Sequence, residues 1–454
     1  MNNFSVRSEH RLPPGKMGLP FIGETFTFLR EPDFAIKRFE QYGPVYKTHL
    51  MGRPTVVLAG AEANEFILNS GMDHLAWASG WPNTFKELLG RSLFVQDGDE
   101  HRQKRKLIAP AFHGRALASY VEMMDLIIQK YLALWEEKRE FAWFTEFKKM
   151  TFEIAAVLLI GADPGEDTAV LSQKFSELTT GFFTLPVNMP GTPYAKALKA
   201  RDYILDYIGQ QIANRKSNPQ NDALSMLILS EDEDGNKLSD QEIEAQALLL
   251  LFAGHETTTS LLTSFCMELG RNPEVCGQAR AEQAYINTFT EPDMKLLRQM
   301  PYLDQVLQEV ERLHPPVISG FRGVEESFEF NGYTIPKGWQ VLYSIIATHH
   351  DPEIYPDPLV FNPDRWHPKN RKDRSSFSLV GFGGGPRTCI GKAFANLEIK
   401  LVATHLLRNY RWQLLLDQDL SLNYIPTTHP QDFLRVKFSR RKSIYKSPVT
   451  AVTA

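Results

Sequence analysis

The chain has 454 residues, 43% of them apolar and 23% charged, with a formal net charge of −4. That balance describes an ordinary globular protein, and its mild acidity excludes nucleic acid as an expected partner. Three cysteines, Cys266, Cys276 and Cys389, make no disulfide framework, so a reducing cytoplasm is the expected setting.

No run of sequence reaches the roughly 18 apolar residues that span a bilayer. The polar start, Met1-Asn-Asn-Phe-Ser-Val, lacks the apolar core of a signal peptide, and residues 1–11 read as a tail. Leu12-Pro-Pro-Gly-Lys-Met-Gly-Leu-Pro-Phe-Ile-Gly is too rigid for a helix and too apolar for a free linker. Val45–Leu50 and Thr55–Ala59 flank Gly52-Arg53-Pro54 and predict a β-hairpin. Residues 73–90 are irregular and aromatic, with Trp77, Trp81 and Phe85 in either a buried loop or a lid over a pocket. His101-Arg-Gln-Lys-Arg-Lys starts a basic helix in which His101 and Arg105, four apart, share one face. Arg102, Lys104 and Lys106 then face solvent. From Leu117 to about Lys216 the pattern is helical and breaks near Leu185-Pro. Core packing is the default role of Phe182, Phe183 and Leu185 ahead of the break. Residues 221–237 form an acidic loop.

Ser239-Asp-Gln-Glu is a capping box that opens a helix running to about Gly270, roughly 45 Å at 1.5 Å per residue. Its middle, Leu248-Leu-Leu-Leu-Phe-Ala-Gly-His-Glu-Thr-Thr-Thr, is apolar all round and therefore buried. Burying Glu256 and Thr257 there is costly unless they have a use or partners. A His-Glu-x-x-His zinc site fails because residue 259 is threonine. Thr257 can also bond back to the carbonyl of Ala253. Residues 300–314 form a further helix, ended by Pro315, with Glu309 and Arg312 three apart. Val317-Ile318-Ser-Gly-Phe321-Arg322 leads into a strand, and Phe361-Asn-Pro-Asp-Arg365-Trp follows. Lys437 onward is basic and polar, so residues 439–454 read as a flexible tail.

The stretch Phe382-Gly-Gly-Gly-Pro-Arg-Thr-Cys-Ile-Gly, from Phe382 to Gly391, sets a scarce cysteine among glycines that let the backbone fold tightly. Helical spacing resumes at Lys392, so Cys389 precedes a helix N-terminus, where N–H groups and the dipole favour an anionic sulfur suited to iron. A Walker loop is excluded because five residues separate Gly385 from Gly391 and Ala393 follows Lys392. A dinucleotide fingerprint from Gly381 needs glycine where Pro386 stands. A plain glycine turn around a structural cysteine does not account for the full pattern, with Gly, Arg, Cys and Gly at positions four, six, eight and ten after an initial Phe.

That pattern, Phe-x-x-Gly-x-Arg-x-Cys-x-Gly, resembles the haem-binding signature of the cytochromes P-450. The resemblance covers about Leu12 to Phe438 through five motifs in the family's order. It implies a mainly α fold with small β-sheets, a single catalytic domain over residues 12–438, and haem b held between the long central helix and the cysteine loop. By that resemblance Cys389 is the axial iron ligand, Phe382 shields its sulfur, and His101, Arg105, Arg322 and Arg387 bind the propionates. Gly391 completes the loop. Ala253-Gly-His-Glu-Thr-Thr is similar to the oxygen-activation motif, which gives Thr257 and Glu256 roles in O₂ activation and proton relay, with Ala253 leaving room beside the iron. Glu309, Arg312 and Arg365 match a buried structural trio, with Asp364 where the family usually has Glu. Trp77, Trp81, Phe85, Phe182, Phe183, Val317, Ile318 and Phe321 become candidates for the substrate pocket.

The implied activity is insertion of one atom of O₂ into a C–H bond of a lipophilic substrate. The wording of the opening segment and of the 252–258 and 301–309 stretches resembles soluble bacterial and animal retinoic-acid hydroxylases. A retinoid or related isoprenoid acid is therefore the expected substrate, with sterols or fatty acids as alternatives. No flavin or ferredoxin sequence is fused to the chain, so electrons are expected from an acidic ferredoxin and its reductase. No membrane span is expected, and any membrane contact would be peripheral and weak. A peroxide-driven or rearranging enzyme, or a haem sensor, fits less well because the Glu-Thr pair is intact.

Overall fold

The computed structural model describes residues 11–31, 33–286, 294–370 and 374–441. Six of the described helices frame the site: α1 (Gly98–Ile108), α2 (Gly114–Lys138), α3 (Trp143–Ile160), α4 (Asp240–Arg271), α5 (Pro301–Leu313) and α6 (Lys392–Asn409). Small sheets complete a mainly α architecture.

The capping box predicted at Ser239 is present: the Glu242 carboxylate accepts from the Ser239 N–H at 2.9 Å, and the Ser239 hydroxyl accepts from the Glu242 N–H at 3.4 Å. Two orphan donors at the helix start are thereby satisfied. Beyond its first turns α4 is buried almost all round, because helices α3 and α5 and the chain's C-terminal loops surround it. The packing against α3 is close enough for Thr151 and Thr259 to share a 2.7 Å hydroxyl–hydroxyl bond. Thr151 also donates to the carbonyl of His255 at 3.2 Å.

The hairpin forms between Val45–Leu50 and Arg53–Leu58. Its turn is Met51-Gly52, at φ 52° and 76°, not Gly52-Arg53-Pro54. Two-residue turns that match strand twist need positive φ at both positions. Pro54 is tolerated as the second residue of that strand because the pairing with Gln340–Ser344 starts only at Thr55. Residues 83–89 of the supposedly irregular aromatic stretch are helical.

The helical stretch after Leu117 breaks at Leu185 and also earlier, at Arg139 and at Gly161, whose left-handed φ of 69° ends α3. Leu185 is 81% exposed, so the expectation of core packing fails there. The expected C-terminal tail begins later than residue 439, since Arg435–Arg440 is a strand that places Ser439 against Arg411 and Arg440 against Tyr410. Phe438 anchors it by edge-on contacts with Trp143 and Trp135 at 5.5 and 6.3 Å. Residues 442–454 and 1–10 lie outside the described residues.

Glu309 organises the proximal side. Its carboxylate accepts two 2.8 Å bonds from Arg312, one of 3.1 Å from Arg365, one of 2.9 Å from Trp366 Nε1 and one of 3.0 Å from the Asn362 N–H. Arg312 further donates to the carbonyls of His349 and Pro358. A buried carboxylate is tolerated when it is paired and fully hydrogen-bonded in this way. Arg365→Met should lower stability by about 3–5 kcal/mol, the usual cost of removing one partner from a buried ion pair. A fall in the urea midpoint checks this, and an unchanged midpoint would contradict it.

Candidate active site

The loop from Gly381 to Gly391 depends on glycine where the backbone meets its neighbours. A Cβ at Gly385, where φ is 56°, would lie 2.2 Å from the carbonyl oxygen of Leu68. The loop closes through the Cys389 N–H, which donates to the Phe382 carbonyl at 2.8 Å. Beneath it, His349 accepts the Val380 N–H on Nε2 at 3.0 Å and bonds the Arg312 carbonyl through Nδ1 at 3.1 Å. The Glu309 cluster and the loop are thus joined by an imidazole that the motif reading missed. Helix α6 starts at Lys392 with Gly391 as its cap.

Cys389 is surface-accessible although protein atoms enclose it on nearly all sides, so its thiol lines an internal void. Burial pushes the thiol pKa up, and Gly391, Arg105 and Lys392 only partly oppose this while Glu311 adds to it. Around the free thiol, desolvation thus works against the anion that the Gly391 N–H and the Arg105 and Lys392 charges favour. A metal reverses that balance, because it deprotonates the thiol it binds.

On α4, Ala253 is exposed in the middle of a buried helix and Thr257 is half-buried, so both border internal space. Thr257 Oγ1 donates to the Ala253 carbonyl at 2.9 Å. Glu256 turns to α3 instead. Its carboxylate is 2.5 Å from Lys148 Nζ and 3.9 Å from His255 Nε2. Burial raises its pKa, but His255 and Lys148 outweigh that and hold it below the usual range. Lys148 is 42% exposed and connects this carboxylate to solvent.

His101, Arg105, Arg322 and Arg387 come from three separated stretches and converge. Arg105 donates to the Thr388 carbonyl at 2.6 Å. Arg387 donates to the Gln96 carbonyl at 2.7 Å and to Asp97 Oδ1 at 2.8 Å. The Asp97 carboxylate also accepts the N–H groups of Trp77 and Ala78. Arg322 is buried, donates through Nη1 to the Phe321 carbonyl, and leaves Nη2 without a partner. Burial and then Arg387 and Arg105 push His101 down to about 4, so it is a neutral donor at pH 7 rather than a cation. Burial likewise lowers Arg387 to about 10.

Trp77, expected among the pocket aromatics, lies beneath Arg322 at 3.5 Å, with Arg387 at 5.2 Å from the same ring. Lys104 was expected to face solvent but is half-buried and 2.6 Å from Glu242; Arg102 and Lys106 are exposed.

Trp81, Phe85, Phe182 and Phe321 do meet. Trp81 lies 5.0 Å from Phe85 and 5.5 Å from Phe321, and Phe85 lies 4.6 Å from Phe182. Phe94 and Phe252, which the motifs did not single out, extend the cluster. Val317 is exposed and Ile318 half-buried. The side chain of Phe183 lies outside the described residues.

The cytochrome P-450 family model matches residues 13–435. The chain belongs to the cytochrome P-450 family. It is 42% identical over 430 residues to a putative cytochrome P-450 120 of Synechocystis sp., covering 94% of this chain and 96% of that relative. A cytochrome P-450 26B1 of Xenopus tropicalis is 37% identical over 94% of this chain and 86% of its own length. The fold matches a cyanobacterial CYP120A1 with retinoic acid bound at a TM-score of 0.89 and 41% identity, over 95% of this chain and 99% of that one. As a P-450 the chain is a monooxygenase that uses haem and O₂, takes a lipophilic substrate and draws on a redox partner. No described helix is long and apolar enough to cross a membrane.

The residues present fit haem. Cys389 offers a thiol that could hold iron, and the exposed Ala253 on the otherwise buried α4 leaves open space beside that helix. At one side three guanidiniums gather, the Asp97 carboxylate is taken by Arg387, and the buried Arg322 leaves Nη2 without a partner. Buried cations in excess need anions, and the two carboxylates of a haem supply them.

Acid should destabilise this P-450 through its buried imidazoles. Burial, with the Arg312 charge, lowers His350 to about 4 against the opposing pull of the Leu313 carbonyl. Burial, followed by His350 and Arg312, takes His349 to about 3. Both are neutral in the native state, whereas in the unfolded chain they take up protons below about pH 6.5. Their contribution is complete above about pH 6.5 and is lost as pH falls toward 4 and 3. Urea midpoints should fall between about pH 7.5 and about pH 5, and constant midpoints would contradict this neutral burial.

Proposed function

We propose that this P-450 hydroxylates retinoic acid or a closely related isoprenoid acid. The likeness to a P-450 with retinoic acid bound, at a TM-score of 0.89 over 95% of the chain, carries the reading. The aromatic cluster of Trp81, Phe85, Phe182 and Phe321 supports it, because a polyene gains most from a long apolar, aromatic wall.

Bound haem supplies the iron chemistry that activates O₂. In this reading the Cys389 thiolate would hold the iron and Phe382 would cover the sulfur. Arg105, Arg322 and Arg387, with neutral His101 as a donor, hold the propionates, and Trp77 and Asp97 keep the arginines in place. Thr257 holds a proton at Oγ1 on the face bordered by Ala253. Glu256 moves protons from the solvent end at Lys148 toward Thr257, which requires it to leave the lysine and turn about the helix. Glu309, Arg312 and Arg365 serve structure. The pocket aromatics exclude water from the reacting carbon. Electrons come from an acidic ferredoxin with its reductase, for which the exposed Arg102 and Lys106 on α1 offer a docking charge.

Retinoic acid should shift the haem from low to high spin in a saturable titration, ahead of retinol, sterols and fatty acids. A shift with sterols or fatty acids alone would overturn the substrate assignment. Thr257→Ala should divert electrons to peroxide and lower the rate of product formation by roughly a hundredfold, the low end of general acid–base contributions. Fully coupled turnover in that variant would remove the role of Thr257.

A further inference from the structure

Between α5, α6 and the start of the ligand loop lies a cavity of about 340 Å³. Glu311 of α5, Phe382 of the loop and Lys392 and Asn396 of α6 line it. Glu311 is 5% exposed, yet among the described residues no ion pair closes on it, unlike Glu309 two residues earlier on the opposite side of α5. Its side chain presses on the start of the loop: a Cβ at Gly381 would lie 2.6 Å from Glu311 Cγ and 2.8 Å from Oε1. The carboxyl therefore sits at the N–H groups of Gly381 and Phe382. Lys392 approaches the same place from α6, with Nζ 5.2 Å from the centre of the Phe382 ring. A carboxyl and an ammonium thus stand behind one sulfur, and their charges act on it with opposite sign.

We infer that Glu311 is a positioning residue acting through Cys389: with Lys392 it forms a pair of opposed charges that sets how strongly the thiolate donates, and hence the reduction potential of the iron. The inference rests on the reading of Cys389 as the ligand. Negative charge near the sulfur stabilises the ferric state over the ferrous state and lowers the potential, whereas positive charge raises it. The carboxyl is not a constant charge. Burial pushes it up to about 7 against the pull of Lys392 and the two N–H groups, and the cavity gives water a route to exchange its proton. Among the described residues, the other charged groups facing this space are Asp304 on α5, held 2.6 Å from Lys400, and Arg374, which lies over the rings of Tyr355 and Trp366. Arg105 acts on the sulfur from the other side of the loop.

The test is spectroelectrochemical titration of the haem-loaded protein, with the carbon monoxide difference spectrum as a check on the ligand. In the unsubstituted protein the midpoint potential should fall as pH rises from about 6 to about 8.5, the direction expected as a nearby carboxyl ionises. Glu311→Gln should raise the potential at the upper pH and flatten that fall, while Lys392→Met should lower it. Both should retain the thiolate-type carbon monoxide band. If both variants keep that band and leave the potential unchanged, or move it in the same direction, the inference is overturned. If Glu311→Gln loses the band, Glu311→Asp must restore both band and potential; failure to do so overturns the inference in favour of plain packing. Absence of the thiolate band in the unsubstituted protein would instead overturn the ligand assignment.

Discussion

One buried carboxylate, Glu309, holds the proximal half of the molecule together. Left alone in the interior it would be costly by several kcal/mol, but two arginines, an indole N–H and a backbone N–H satisfy it. Each partner arrives with its own segment of chain. Arg365, Trp366 and Asn362 bring the irregular stretch after residue 356, and Arg312 brings the carbonyls of His349 and Pro358. Because His349 also holds Val380, the geometry of the ligand loop descends from this charge cluster through a single imidazole. The loop has few side chains of its own, so rigidity has to be supplied from below.

Three electrostatic regimes meet around the void. At the thiol, burial dominates and metal binding is what makes the sulfur anionic. At the arginine edge, positive charge exceeds negative charge, so the site is set to receive carboxylates and Asp97 serves mainly to orient. On α4, burial opposes the charge on Glu256 while His255, Lys148 and His429 favour it, and the contact with Lys148 points it away from the surface that Thr257 presents. The same helix therefore keeps its acid and its alcohol in different environments one residue apart, because successive helical positions lie about 100° apart.

The family, the mainly α fold and the central helix were legible in the sequence, since each has a local signal: a spaced cysteine motif, a capping box, an all-round apolar run. The errors have a common origin. Leu185 was assigned to the core by its hydrophobicity, Lys104 to solvent by its charge, and the C-terminal strand to a tail by its basic composition. Each assignment was made from residue type, and each was decided by a distant partner: open surface, Glu242, and the pairing with residues 410–414. Asp97 and Trp77 had no local signature either, because their importance lies in the arginines they touch from other parts of the chain.

The sequence by itself determined the chemical identity of the site, because ligand spacing and glycine positions are covalent properties that a motif preserves. It also determined where the long helices begin, because caps act within a few residues. Only the tertiary structure decided charge states: a neutral His101, a protonation-favouring setting for the free thiol, an ionised Glu256 and a Glu311 that titrates near neutrality. Those states depend on burial and on groups brought together across hundreds of residues, and desolvation has no meaning until the surrounding atoms are in place.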